Sequence, residues 1–204
     1  MAPTETAERW DWWFGWHSTD SARYKLWYPD AHRFSAVGED RSADRTLTDR
    51  QRYLDNVSYV DEYVGGTLQR LAIRFTDPTR FGFDAPAPGN TVVCARVGLS
   101  RYPVAQGRLI HQVRPTGHGS EMRSRFFLDD AHMLDLPAHS VPGRGAPLMT
   151  GRVFRRLGDA ALPHLTAKVM GSTFGYDLAF HCAAEMNYLA AFLPDLHHEF
   201  NGTP

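Results

Sequence analysis

Apolar and polar residues alternate most clearly from Thr67 onward. In TLQRLAIRF, Leu71, Ile73 and Phe75 are interleaved with Arg70, Ala72 and Arg74, the period-2 pattern of a half-buried strand. TVVCARVGLSRY, GRLIHQVRP and EMRSRFFL are three further strand candidates, and their short Gly- and Pro-bearing connections suit antiparallel hairpins. Toward the C-terminus the period changes. Leu178, His181, Glu185, Leu189 and Phe192 recur at helical spacing, which predicts a helix over about 175–193. At the other end, residues 4–17 suit a short helix capped by Thr4 or Thr6, with Glu5 and Glu8 in its first turn. Trp10, Trp13, Phe14 and Trp16 give that helix an aromatic face.

Between these elements, RYKLWYPDAHRF reads as irregular or extended, broken at Pro29, and Ser42 to Asn56 as a charged exposed loop or lid. DPTRFGFDAPAPGN is dense in Pro and Gly and reads as a loop, as does the stretch 137–151. From Arg152 to Leu193 the pattern is helical, interrupted near Pro163, Gly171 and Gly175. No repeat or linker divides the chain, so 1–204 is expected to be a single domain. Helix, antiparallel sheet, long C-terminal helix: the class is α+β, with a cavity expected between a curved sheet and that helix.

Composition narrows the function. Hydrophobic residues make up 43% of the chain and aromatics 12%, enough for a core and an aromatic-lined cavity. The 22 Lys+Arg against 23 Asp+Glu leave a net charge of -1, which argues against nucleic acid and anionic membrane as general partners. Cys94 and Cys182 make neither a disulfide framework nor a paired metal knuckle. MAPTETAERW lacks the basic and apolar regions of a signal peptide, and no apolar run of about 18 residues exists. These features predict a soluble, cytoplasmic protein.

The candidate chemistry lies in FHCAAEMNYLAAFL. His181 and Glu185 are four residues apart, so on a helix their Cβ atoms lie roughly 6 Å apart on the apolar stripe. A buried imidazole and carboxylate need partners. A divalent metal would serve both, whereas mutual hydrogen bonding or a place at the stripe's wet edge would serve as well. His32, after the aromatic cluster LWYPDA, is either a metal ligand or a turn histidine bonding a backbone carbonyl. Glu62 in NVSYVDEYVGG is either buried with a partner or on the solvent face of an edge strand, and Asp61 competes with it. His118 is a candidate acid/base or substrate-contacting residue in a glycine-flanked turn, and nearby Glu121 suits cross-strand pairing with an arginine. His197 and His198, beyond Pro194, read as a solvated tail. His17, His111, His132, His139 and His164 carry no spacing signal. GxSxG, P-loop and GxGxxG motifs are all missing, which removes the usual anchors for triad hydrolases and nucleotide binders.

Taken in order, the runs WWFGWH, RYKLWYPDAH, RQRYLDNVSYVDEYVGG and HCAAEMNYLAAFLP resemble the 2,4-diacetylphloroglucinol hydrolase family, which includes phloretin hydrolase. The resemblance extends from about Trp10 to Leu196. It implies a helix-grip (Bet v 1-like, START-like) fold and a Zn2+-dependent hydrolase that cleaves the carbon–carbon bond between an acyl group and a phenolic ring. It further implies His32, Glu62, His181 and Glu185 as zinc ligands, Tyr24 as a contact to a substrate phenol oxygen, and His118 in the place of a substrate-side histidine. The implied partner is a small aromatic ketone, with a homodimer left open. Several features depart from the family. Its characterised members carry an additional N-terminal region, Ser35 lies near the position of a phenol-holding asparagine, and residues 129–160 yield no counterpart for a second substrate tyrosine. Two other classes share such a cavity: a non-catalytic carrier or sensor of aromatic molecules, and a metal-dependent aromatic polyketide cyclase.

Overall fold

A computed structural model describes residues 3–102, 104–117, 119–128, 131–133 and 173–204. The chain opens with α1 (Pro3–Trp16), a 3-10 turn (His17–Thr19) and α2 (Ser21–Trp27). Next come β1 (His32–Val37), α3 (Asp49–Tyr53), β2 (Val57–Val64) and β3 (Thr67–Thr76). After a short 3-10 turn (Pro78–Phe81) follow β4 (Thr91–Leu99), β5 (Val104–Thr116), β6 (Gly119–Phe127) and β7 (His132–Met133). The last element is the long helix α4 (Phe174–Phe200). The class is α+β, as expected from the order of patterns.

Strands β1 to β6 lie in sequence order in one antiparallel sheet, and β7 pairs with the start of β5. Gly65 and Gly66, with φ of 55° and 80°, close the β2–β3 hairpin between the paired Val64 and Thr67. The α1 aromatics fill the space between the sheet and α4: Trp12, Trp13 and Phe14 share one buried cluster with Phe75, Leu109 and Leu189. Leu189 is completely buried at the centre of the α4 stripe. Leu189→Ala should therefore cost about 2–5 kcal/mol in urea unfolding, the usual range for opening such a cavity.

Three segments differ from the pattern-based reading. RYKLW is helical, not irregular: Asp20 caps α2 by accepting from the Ala22 N–H at 2.6 Å, and Tyr24 and Trp27, three apart, bury the same face. A helix of seven residues is too short to show a period of its own. Within the expected lid, Thr48 and Gln51 form a reciprocal cap on α3, whose buried Tyr53 donates to Asp11 at 2.6 Å. The C-terminal helix continues through Pro194 to Phe200. Leu196 and Phe200 still pack on the core, and His197 meets the Trp12 ring edge-on at 5.1 Å, so His197 is not part of a solvated tail. That packing offsets the hydrogen bond lost at the proline. Strands also begin earlier than Thr67, since β1 and β2 precede it. The stretch 137–151 and the helical pattern of 152–172 lie outside the described residues. Among the described residues, no helix is long and apolar enough to cross a membrane.

Candidate functional site

His32 and Glu62 are register partners across β1 and β2, where a bulge follows His32. The bulge turns Arg33 and Phe34 both outward and leaves His32 and Ser35 facing in. On β2, strict alternation puts Ser58, Val60, Glu62 and Val64 inside, while Asp61 faces out toward Arg70 at 3.7 Å. Alternation thus excludes Asp61 from the interior. From the opposite side, α4 presents His181 and Glu185, one turn apart and both buried.

The three elements bring four groups together. Ligand atoms of His32, Glu62 and His181 all lie within 4.8 Å of one another and form a candidate metal site. Glu185 Oε2 stands 3.4 Å from His32 Nε2 and 3.8 Å from His181 Nε2. The Glu62 oxygens are 3.9 Å from each of the same two nitrogens. At 3.8 Å, His181 and Glu185 do not satisfy each other by a hydrogen bond. Neither His32 Nε2 nor His181 Nε2 has a hydrogen-bond partner, although both are buried. Two bare imidazole nitrogens facing two carboxylates are the donor set taken by a divalent cation such as zinc.

Tyr24 holds this cluster from behind. Its backbone carbonyl accepts from His32 Nδ1–H at 3.0 Å, so the His32 lone pair resides on Nε2, facing the carboxylates. The turn-histidine and ligand readings of His32 are therefore compatible. The Tyr24 ring stacks on His32 at 3.8 Å, and its hydroxyl donates to Glu62. Burial, with Glu62 alongside, raises the Tyr24 pKa well above its ordinary value, which keeps it a phenol. Burial also raises the Glu185 carboxyl, against the pull of His32 and His181. Trp27 Nε1 donates to the Glu185 backbone carbonyl at 3.0 Å and ties α2 to α4.

A cavity opens from this cluster, walled by Phe14, Trp27, Val60, Leu71, Phe75 and Leu178. His17 and His111, which showed no spacing signal, also line it. His111 is nevertheless readable after the fact, because it lies between Leu109 and Val113 on the inward positions of β5. Its Nδ1 lies 2.7 Å from Ser124 Oγ. His17 follows Trp13 by one helical turn, donates to its carbonyl at 2.6 Å and stacks on its ring.

Ser35 and Glu121 do not join the site. Ser35 spends its hydroxyl on the Ser18 carbonyl at 2.8 Å. Glu121 pairs on the surface with Arg114 and Arg123. His118 lies outside the described residues, as do His139 and His164.

Burial depresses the pKa of His17 to about 3 and of His111 to about 4. Both are neutral in the folded chain at pH 7, whereas the unfolded chain protonates them below about 6.5. Their contribution to stability is thus complete above pH 6.5 and declines as pH falls toward those depressed values. Each histidine should cost about 2 kcal/mol between pH 6.5 and 5. Urea unfolding at the two pH values checks this, and His111→Phe should remove about half of the dependence.

A family model described as the DAPG hydrolase PhiG domain matches residues 1–198. The chain belongs to the DAPG hydrolase family. It is 33% identical to the 2,4-diacetylphloroglucinol hydrolase of Pseudomonas protegens over 210 aligned positions, covering 99% of this chain and 63% of that protein. A 2,4-diacetylphloroglucinol hydrolase from Pseudomonas sp. is equally identical, with 66% of its length covered. Phloretin hydrolase of Eubacterium ramulus is 33% identical over 132 positions, or 62% of this chain and 47% of the relative. The chain thus spans just under two-thirds of the two diacetylphloroglucinol hydrolases and about half of the phloretin hydrolase.

Proposed function

We propose that this member of the DAPG hydrolase family is a zinc-dependent hydrolase that cleaves the carbon–carbon bond between an acyl group and a phenolic ring. The observation that carries the reading is the pair of partnerless buried nitrogens, His32 Nε2 and His181 Nε2, opposite Glu62 and Glu185 at the end of an apolar cavity. The names of the relatives, hydrolases of 2,4-diacetylphloroglucinol and phloretin, support the substrate class. An antiparallel sheet followed by a long C-terminal helix supplies the elements that a helix-grip arrangement needs.

His32, Glu62, His181 and Glu185 are the proposed zinc ligands. Zinc bound there supplies a more acidic water and polarises the acyl oxygen. The reaction is a retro-Claisen hydrolysis: water adds to the acyl carbon, the aryl–acyl bond breaks, the ring carbon gains a proton, and the acyl group leaves as a carboxylic acid. The chain's own groups position and move protons. Tyr24 steadies Glu62 through its O–H and keeps oxygen lone pairs that can accept a hydrogen bond from a ring hydroxyl. A carboxylate at the cluster's edge takes the proton from water. For the ring carbon, His118 or one of the two glutamates is the proposed proton carrier, and His17 and His111 are further histidines on the cavity wall. Apolar walls keep bulk water from the leaving ring.

The test is to measure bound metal and then incubate the protein with acylphloroglucinols, following released acid by mass spectrometry. About one zinc per chain together with free acid is expected. Ligand binding without acid release would indicate a carrier, and an isomeric product would indicate a cyclase.

A further inference from the structure

His111 is fixed in the cavity wall by its neighbours. It is the register partner of Ser124 across β5 and β6, so the two side chains share a face of the sheet. His111 Nδ1 lies 2.7 Å from Ser124 Oγ. Phe14 lies nearly parallel to the imidazole at 6.1 Å, and Phe126 meets it edge-on at 6.1 Å. These contacts set the plane of the ring and leave the position of its proton to be decided. Burial lowers the His111 pKa to about 4, so at pH 7 the ring is neutral and carries a single N–H. Which nitrogen carries it depends on the direction in which the Ser124 hydroxyl points.

Ser124 has a second neighbour. Cys182, buried on α4, hydrogen-bonds with both Ser124 and Glu185, and Glu185 follows it by three residues on the same helix. The links run in one direction. A carboxylate oxygen accepts, so the Cys182 S–H donates to Glu185. The sulfur then accepts from the Ser124 hydroxyl, and the Ser124 oxygen accepts from His111 Nδ1–H. We infer that Ser124 and Cys182 are positioning residues that carry this order from Glu185 to His111, fixing His111 as the Nδ1–H tautomer with Nε2 as a bare acceptor. The use of that acceptor rests on the proposed hydrolase reading, in which a hydroxyl of the substrate ring donates to Nε2. The opposite tautomer would present an N–H there and would favour an acceptor atom instead. The chain of bonds thus orients a histidine of the cavity wall and a carboxylate of the cluster together.

The experiment reads the tautomer directly, by long-range proton–nitrogen NMR of the histidine rings in the nitrogen-15-labelled full chain at pH 7. The His111 signals are identified by their loss in His111→Phe. In the parent protein, Nδ1 should show the shift of a protonated ring nitrogen and Nε2 that of a bare one. Ser124→Ala removes the acceptor of Nδ1–H, so the ratio of Nδ1–H to Nε2–H should fall about fivefold, the effect of one hydrogen bond. Cys182→Ala frees the Ser124 hydroxyl to donate to Nδ1, and the ratio should fall there too. Cys182→Ser can repeat both bonds and should restore it. A bare Nδ1 in the parent overturns the inference, and so does an unchanged ratio in Ser124→Ala or in Cys182→Ala. Loss of the hydrolase reading would look different: the tautomer and its response to the variants would persist while the zinc-loaded protein released no acid from acylphloroglucinols.

Discussion

Glu62→Gln should abolish zinc retention and turnover while making the metal-free protein more stable. The two carboxylates, Glu62 and Glu185, face the same pair of buried histidines, and the burial that raises the Glu185 carboxyl is aggravated by the negative charge of Glu62. Without a cation, the cluster is a pocket of like charges in a low-dielectric wall. Glutamine retains a carbonyl oxygen for the Tyr24 hydroxyl and removes the charge. Turnover should fall by well over about 100-fold, the upper end of what an outer-shell loss alone costs. The metal-free variant should melt a few degrees above the metal-free parent, since about 1 kcal/mol shifts the midpoint by roughly 2–4 °C at this size. Added zinc should raise the melting temperature of the parent and leave that of the variant unmoved. Metal content by mass spectrometry and paired melting curves provide the check. A variant that melts lower than the parent in both states would assign Glu62 a structural role instead.

Tyr24→Phe separates support of the cluster from contact with substrate. The phenylalanine keeps the ring stack on His32 and the backbone carbonyl that receives its Nδ1–H, so the orientation of His32 survives. What disappears is the O–H donor to Glu62, which leaves a buried carboxylate oxygen without that bond. Zinc affinity, measured by competition with a chelator, should weaken about 10–100-fold. If Tyr24 acts through Glu62 alone, saturating zinc restores kcat. If its oxygen also accepts a ring hydroxyl, as proposed, kcat stays depressed at saturating zinc and KM for the acylphenol rises. Unchanged zinc affinity would remove Tyr24 from the support of Glu62.

Much of the layout was readable from residue patterns because it depends on local alternation. The strands β3 to β6 fall on the four runs with full or partial alternation, although β4 buries Thr91 to Ala95 consecutively, and the inward stripe of α4 contains His181 and Glu185 as their spacing predicts. What escaped depends on long-range contacts. The seven residues of α2 are helical because Asp20 caps them and because Tyr24 and Trp27 find partners in the core. Pro194 is tolerated because Leu196 and Phe200 pack beyond it. The choice between Asp61 and Glu62, open in VDEY from residue type alone, turns on the face of β2 that each occupies: Glu62 is inward and opposite His32, and Asp61 is outward beside Arg70. His17 and His111 escaped for another reason. Neither has a ligand-type companion at a fixed spacing, although the inward position of His111 between Leu109 and Val113 is visible in the alternation of β5.

The indole of Trp27 and the carbonyl of Glu185 that it bonds are separated by 158 residues of sequence. His32 and Glu62, by contrast, meet across a single antiparallel strand pair near the start of the chain. Half of the cluster can therefore assemble early, while the other half waits for the last helix to be synthesised and docked. Contacts of such long separation are slow to form. On the proposed zinc reading, a refolding chain should acquire its sheet before it captures a cation, and metal uptake would time the final docking of α4.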